Sequence, residues 1–318
     1  MQAVILAAGK GTRLQPITNT RSKAMLPILG KPIIERIIEN LAAWGLRNFI
    51  LVVSPEDQTI REYFQHETTL DVDIQFVNQA RQMGTADALK QAAPYLNEDF
   101  VLSACDSLVP AEENERLIST WSKISGLQAL LSLKSIPKGD SWKTGIVTLD
   151  GDQVTGIIEK PPPDQAPSTI SSLPLYCFSL RILDYIPQVQ LSPRGEYELQ
   201  DAIQMMIDAN ENVRGLFVQN HLTLTTAEDL LELNFHFLNS SEEYWQITPH
   251  VVGVNTDLVM PLCIEPGVEI GSGCKIGPGV YIEKNARMRN YVKLENVVVL
   301  RQAVIPEGTE LKNQVVTS

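Results

Sequence analysis

The sequence predicts an α/β protein: a mostly parallel sheet with helices on both faces, followed by a parallel β-helix. Three observations carry this expectation. Continuous apolar runs with β-branched members, such as Ala3-Val4-Ile5-Leu6, Phe49-Ile50-Leu51-Val52-Val53 and Phe100-Val101-Leu102-Ser103-Ala104, have the pattern of strands buried on both faces. Segments of helical period lie between them, which makes βαβ units. From Val252 onward a six-residue repeat replaces both periods.

The chain has 318 residues, 44% of them hydrophobic, enough for two domains with a substantial core. Its formal charge of −12 argues against a nucleic-acid or anionic-membrane partner. Cys105, Cys177, Cys263 and Cys274 have neither metal-like spacing nor disulfide-rich density. The N-terminus runs directly into a strand and no apolar run reaches membrane-spanning length, so the expected compartment is the cytosol.

The first strand ends in Leu6-Ala7-Ala8-Gly9-Lys10-Gly11-Thr12-Arg13-Leu14, which continues to Pro16 and to Ser22-Lys23-Ala24-Met25-Leu26-Pro27. Two glycines so close let the backbone turn sharply, and successive N–H groups can point at phosphate oxygens. No Asp or Glu precedes Glu35, whereas Lys10, Arg13, Arg21, Lys23 and Lys31 all fall in this segment. An anion belongs here. The dinucleotide fingerprint is excluded because Leu14 stands where its third glycine is required, and the P-loop because Gly9-Lys10 is followed by Gly11. A tight turn with incidental surface lysines leaves the charge asymmetry unexplained.

A helix opens near Pro32 and carries Ile33, Ile34, Ile37, Ile38 and Leu41 to Gly45. A helix around 56–66 and a strand around 72–77 continue the alternation. Gln82-Met83-Gly84-Thr85-Ala86 then opens another helix, and taken alone is a loop with a Thr N-cap. Asp106 stands just past the strand 100–104, where a carboxylate can be a Mg²⁺ ligand beside phosphates or can cap the next helix. Asp150-Gly151 marks a hairpin between strands around 143–147 and 154–158. The second strand runs into Glu159-Lys160-Pro161, taken alone a solvated strand end, and then a proline-rich loop to Pro167.

A helix over 230–238 ends at Asn239-Ser240-Ser241. Val252, Leu258, Ile264, Ile270, Ile276, Ile282, Met288, Leu294 and Leu300 then recur every sixth residue. Thr256, Leu262, Val268, Cys274, Val280, Ala286, Val292, Val298 and Val304 follow four positions later. Nine hexads make three coils of eighteen residues. The expected division is 1–238, a linker over 239–251, and the coiled tail over 252–318. None of His66, His221, His236 or His250 lies inside the repeat, so it lacks the general base of an acyltransferase. It reads as an assembly or regulatory module, and coils stacked side by side favour a homo-oligomer.

The glycine-rich segment resembles the signature of the sugar nucleotidyltransferases, which join a sugar 1-phosphate to a nucleoside triphosphate and release pyrophosphate. The resemblance implies a Rossmann-like sheet and, for the tail, the left-handed form of the β-helix. It implies nucleotide contacts for Leu6, Ala8, Gly9, Gly11 and Thr12, and for Gln82, Gly84 and Thr85 a place at the base and ribose, with dTTP or UTP favoured. It implies catalytic roles for Arg13, Lys23, Asp106 and Lys160, with Mg²⁺ as cofactor on Asp106. Gly145, Glu159, Lys160 and Glu198 are implied for the sugar phosphate, Glu198 from its place in Glu198-Leu199-Gln200-Asp201.

Two departures stand against the pattern. Leu173-Pro174-Leu175 replaces the family's Asn-Ala-Gly, whose Asn touches sugar hydroxyls. Thr223, just before the segment Leu224–Leu231, replaces the second carboxylate on the metal. The sequence thus supports an enzyme, or alternatively a catalytically degenerate nucleotide-binding regulatory subunit of the same family.

Overall fold

The computed structural model describes residues Met1–Ser318, which divide into two compact units. One comprises Met1–Gly9 and Ile34–Leu222, the other Lys10–Ile33 and Thr223–Ser318.

The first unit is built on a nine-stranded sheet. Its strands are β1 (Gln2–Leu6), β2 (Asn48–Val53), β3 (Asp73–Asn78), β4 (Phe100–Ala104), β5 (Ala129–Ser135), β6 (Gly145–Asp150), β7 (Gln153–Glu159), β8 (Ile170–Phe178) and β9 (Val213–Phe217). They lie in the order β3-β2-β1-β4-β8-β5-β9-β7-β6. The β3-β2-β1-β4 half is parallel throughout. In the other half β8 runs antiparallel to both β4 and β5, and β6 with β7 forms the expected antiparallel hairpin. Val4 belongs to a core cluster with Ala88, Leu89 and Ile203, while Ala3 and Ile5 alternate to the opposite face and are also fully buried. Both faces are therefore covered, as an uninterrupted apolar strand requires. The helices are α1 (Ile33–Ala42), α2 (Gln58–His66), α3 (Thr85–Ala92), α4 (Ala111–Lys123) and α5 (Leu199–Asp208). Asp57 caps α2, its carboxylate accepting from Ile60 N.

In the second unit, α6 (Ala227–Ser240) opens with a reciprocal capping box between Thr226 and Asp229. Fully buried Asn234 on α6 accepts from Leu29 N at 2.9 Å and donates to Leu230 O at 2.8 Å. Arg21 meets Glu283 with two hydrogen bonds of 2.6 Å, and Gly30 N donates to the Tyr281 hydroxyl at 3.1 Å. Residues 20–30 are thereby fastened to the coiled tail of the same unit.

That tail is a parallel stack with the expected step of eighteen: Leu258 pairs with Ile276 and Ile276 with Leu294. Two details differ from the sequence expectation. The stack already includes Gln246–Ile247, which pair with Cys263–Ile264, so residues 246–251 belong to the first coil rather than to a linker. The last coil is one residue shorter, since Val280 pairs with Val297 and Met288 with Ile305. Its inward positions are Val297, Val299, Ala303 and Ile305, displacing Val298, Leu300 and Val304, and Val304 is 52% exposed. The cause is a tighter corner: Gly277-Pro278-Gly279 bridges one coil, whereas Glu295 and Asn296, the latter at φ 54°, bridge the next.

Candidate active site

In the sheet unit, the predicted nucleotide residues gather at the carboxyl end of the parallel half. β1 and β4 are neighbours, with Leu6 opposite Ala104, and Cys105 N donates to Leu6 O at 3.1 Å. Ala7 N donates to Val52 O on β2 at 2.8 Å. The chain therefore leaves adjacent strand ends at Ala8-Gly9 and at Asp106, the position where open α/β sheets bind ligands. Gln82 donates to Ala8 O at 2.5 Å, which places its amide beside the same strand end. A Cβ on Gly9 would meet nothing within 4 Å, so its packing leaves open space for a ligand.

Gly84 and Thr85 do different work from that expected of them. Gly84 has φ +104°, and a Cβ there would lie 2.4 Å from Tyr197 O. Tyr197 N donates to Met83 O at 2.7 Å, Ala86 N donates to Tyr197 O at 3.0 Å, and Thr85 Oγ1 accepts from Leu199 N at 3.1 Å. These bonds bind the Gln82 loop to the segment that carries Glu198. The helix N-cap is Gly84, not Thr85. Sequence reasoning missed Gln79, which donates to Gly84 O and to the Asp87 carboxylate at 3.1 and 2.8 Å.

Asp106 stands beside a cluster that no spacing announced. Ser107 Oγ lies 2.9 Å from His221 Nε2, and Lys134 Nζ lies 3.4 Å from His221 Nδ1. Burial, reinforced by the Lys134 charge and opposed by that of Asp106, pushes the imidazole down to about 4. Burial also lowers Lys134. No group of three or more His, Cys, Asp or Glu side chains could hold a metal ion. Asp106 thus offers a single carboxylate at a strand end. That fits Mg²⁺, which is commonly held by one or two carboxylates together with substrate phosphates and water.

The predicted sugar-phosphate residues also converge. A Cβ on Gly145 would lie 2.8 Å from Ser172 Oγ and 3.1 Å from Glu159 Oε2, so only glycine keeps this cradle open. Glu159 Oε2 is buried without a hydrogen-bond partner, while Oε1 meets Lys160 Nζ at 3.0 Å. Burial raises the Glu159 carboxyl, and Lys160 partly offsets this. Lys160 itself has φ +47°, an uncommon conformation for a side-chain-bearing residue. Glu198 is buried and accepts from Ser192 Oγ and Arg194 at 3.2 and 2.8 Å. Leu173 and Leu175 are buried within an irregularity of β8 between Ser172 and Tyr176. The hydroxyl of Ser172 and the side chain of Gln200 border the cradle instead; Gln200 lay in the motif that gave Glu198 but was assigned no role, and Ser172 carried no signal in the sequence.

In the other unit, Gly11 adopts φ +61° and opens a short turn over Thr12–Leu14. Its missing Cβ accommodates Lys23 Cβ and Thr18 Cγ2, each 3.1 Å away, and Thr18 donates to Gly11 O at 3.0 Å. Lys23 is buried against this loop, whereas Thr12 and Arg13 are exposed. Thr223 Oγ1 lies 3.1 Å from Thr225 Oγ1. No helix is long and apolar enough to cross a membrane.

Comparison with known proteins bears on the family and the fold. The chain is 32% identical over 241 residues to the bifunctional protein GlmU of Methanococcus maripaludis, covering 75% of this chain and 55% of that protein. It is 31% identical over 214 residues to the UTP–glucose-1-phosphate uridylyltransferase AglF of Haloferax volcanii, covering 67% of this chain and 86% of that one. It thus spans about half the length of the first of these relatives and most of the second. A UDP-glucose pyrophosphorylase solved with UDP-glucose superposes with a TM-score of 0.69 at 19% identity, over 76% of this chain and 99% of that one, a likeness of fold. Residues 2–246 match the family model described as nucleotidyl transferase, and the chain belongs to that family.

Proposed function

We propose that this chain joins a sugar 1-phosphate to a nucleoside triphosphate, UTP or dTTP, to give a nucleotide sugar and pyrophosphate. A phosphate oxygen of the sugar 1-phosphate attacks the α-phosphorus, the bond to the β-phosphate oxygen breaks, and pyrophosphate leaves with that electron pair. No side-chain nucleophile is needed, because such transfer rests on positioning and charge stabilisation. Backbone N–H groups of the glycine loop, with Arg13 and Lys23, hold the triphosphate, and the amide of Gln82 reads the base. Lys160 orients the attacking phosphate, while Glu159, Ser172, Gln200 and Glu198 address the sugar. Asp106 would hold Mg²⁺ with the phosphate oxygens, and the bound ion would neutralise phosphate charge.

The observation that carries this reading is the departure of Ala8-Gly9 and Asp106 from adjacent strand ends, with Gln82 donating to Ala8 O. A pyrophosphate-release assay across five triphosphates and common sugar 1-phosphates tests it. Release should depend on both substrates and fall sharply in Lys160→Ala. Thr223 and Leu173 favour a second reading, a nucleotide-binding subunit without turnover. Nucleotide binding without pyrophosphate release, with activity appearing in Thr223→Asp, would select it.

A further inference from the structure

The segment from Arg21 to Gly30 carries Lys23, and the coiled tail of the same compact unit holds both of its ends. At the start, Arg21 meets Glu283 through two bonds of 2.6 Å, and both side chains are buried. Glu283 also accepts from Arg301 N at 2.8 Å, while the Arg301 guanidinium reaches Thr20 O at 3.4 Å. At the far end, Gly30 N donates to the hydroxyl of fully buried Tyr281 at 3.1 Å, and that hydroxyl donates to Glu265. We propose that Glu283 and Tyr281 are positioning residues of the triphosphate site, through which the tail sets the place of Lys23. The inference rests on the assignment of Lys23 to the triphosphate under the proposed function.

Three features support it. Tyr281 and Glu283 lie two residues apart in one coil, so a single coil grips both ends of the segment. The grip is shared with the coil before, because Glu265 stands eighteen residues ahead of Glu283, in step with Ile264 opposite Ile282. Second, the segment has little slack between its ends. Met25 N donates to Ser22 O at 3.0 Å and Leu26 N to Lys23 O at 3.1 Å, and Asn234 on α6 donates to Pro27 O at 3.3 Å. Lys23 is itself buried, with its Cβ packed where Gly11 lacks one. A shift at either end would therefore be felt at Lys23.

Third, a buried ion pair is a poor way to gain stability alone. Desolvation of the carboxylate and guanidinium offsets their attraction, and apolar residues of similar volume often serve as well. What the pair supplies is geometry, since a two-pronged guanidinium–carboxylate contact fixes both distance and orientation.

Calorimetric titration of the full chain with five nucleoside triphosphates and Mg²⁺ tests the proposal without requiring turnover. In the Arg21→Met, Glu283→Gln double variant neither charge remains, and the Gln can still accept from Arg301 N. Its melting temperature should stay within about 5 °C of the parent's, whereas triphosphate affinity should fall roughly tenfold or more. Tyr281→Phe removes the acceptor for Gly30 N and should weaken binding in the same sense, which covers a double variant that does not fold. In a Lys23→Ala background these substitutions should lose most of their effect, because the side chain they position is gone. A clamp that only holds the fold together would cost the same affinity in both backgrounds. Unchanged triphosphate affinity in the folded variants, equal losses with and without Lys23, or no saturable binding by the parent would overturn the inference. Pyrophosphate release is scored separately: binding that responds to the clamp without any release upholds the inference and removes the enzymatic reading.

Discussion

The two ends of the candidate site in the sheet unit are made of different material. At the parallel end, Ala8 O, the space around Gly9 and the close approach of Gly84 to Tyr197 are features of backbone. At the hairpin end the features are side chains: Ser172 and Glu198 are buried, and the largely buried Glu159 pairs with the half-exposed Lys160. A backbone cradle recognises what all triphosphates share, whereas buried side chains can discriminate one sugar from another. Generic binding and specificity are thus assigned to separate regions, and substitutions should divide the same way.

The largest effect should come from Lys160→Ala, with turnover down about 100-fold or more and nucleotide affinity little changed. Steady-state kinetics with calorimetric nucleotide titration measures both; a loss of nucleotide affinity instead would erase the proposed division. Gly84→Ala should come next, because the added Cβ meets Tyr197 O at 2.4 Å while φ remains at +104°. A destabilisation of about 2–4 kcal/mol in denaturant unfolding is expected, accompanied by weaker nucleotide binding.

His221 sharpens the comparison through pH. Its imidazole is pushed down to about 4, first by burial, so the unfolded chain takes up this proton before the folded one. Stability should therefore fall as pH drops from about 6.5 to 4, by on the order of 3 kcal/mol in total. His221→Gln should flatten that slope in melts recorded across the window. Glu159 has the opposite sign. Its raised carboxyl means that its charged form is disfavoured on folding, so stability should decline as pH rises above the normal carboxylate range. Glu159→Gln should consequently match the parent in acid and exceed it in stability at neutral pH, while losing sugar-phosphate affinity.

What was legible in the sequence follows the same line. Ala3–Leu6 and Phe100–Ala104 announced buried strands because both their faces are apolar, and Gly11 announced a turn because only glycine readily takes its φ. The hexads fixed the coil step until Asn296 shortened a corner by one residue, a change that leaves the apolar alternation intact and hence unmarked. The antiparallel course of β8 between β4 and β5 was invisible, since strand direction is set by the partners. Ser107, Lys134 and His221 come from three separate stretches, and only tertiary structure unites them. Leu173 was read as a missing polar contact, whereas Ser172 beside it borders the Gly145 cradle.

Phosphorus NMR of a mixture of the protein, Mg²⁺, UTP or dTTP and a sugar 1-phosphate addresses the central claim most directly. The account predicts a pair of coupled diphosphate resonances from the nucleotide sugar, growing in step with pyrophosphate and abolished by omission of the sugar 1-phosphate. Bound nucleotide with unchanged starting resonances across every triphosphate and sugar 1-phosphate pair would contradict it.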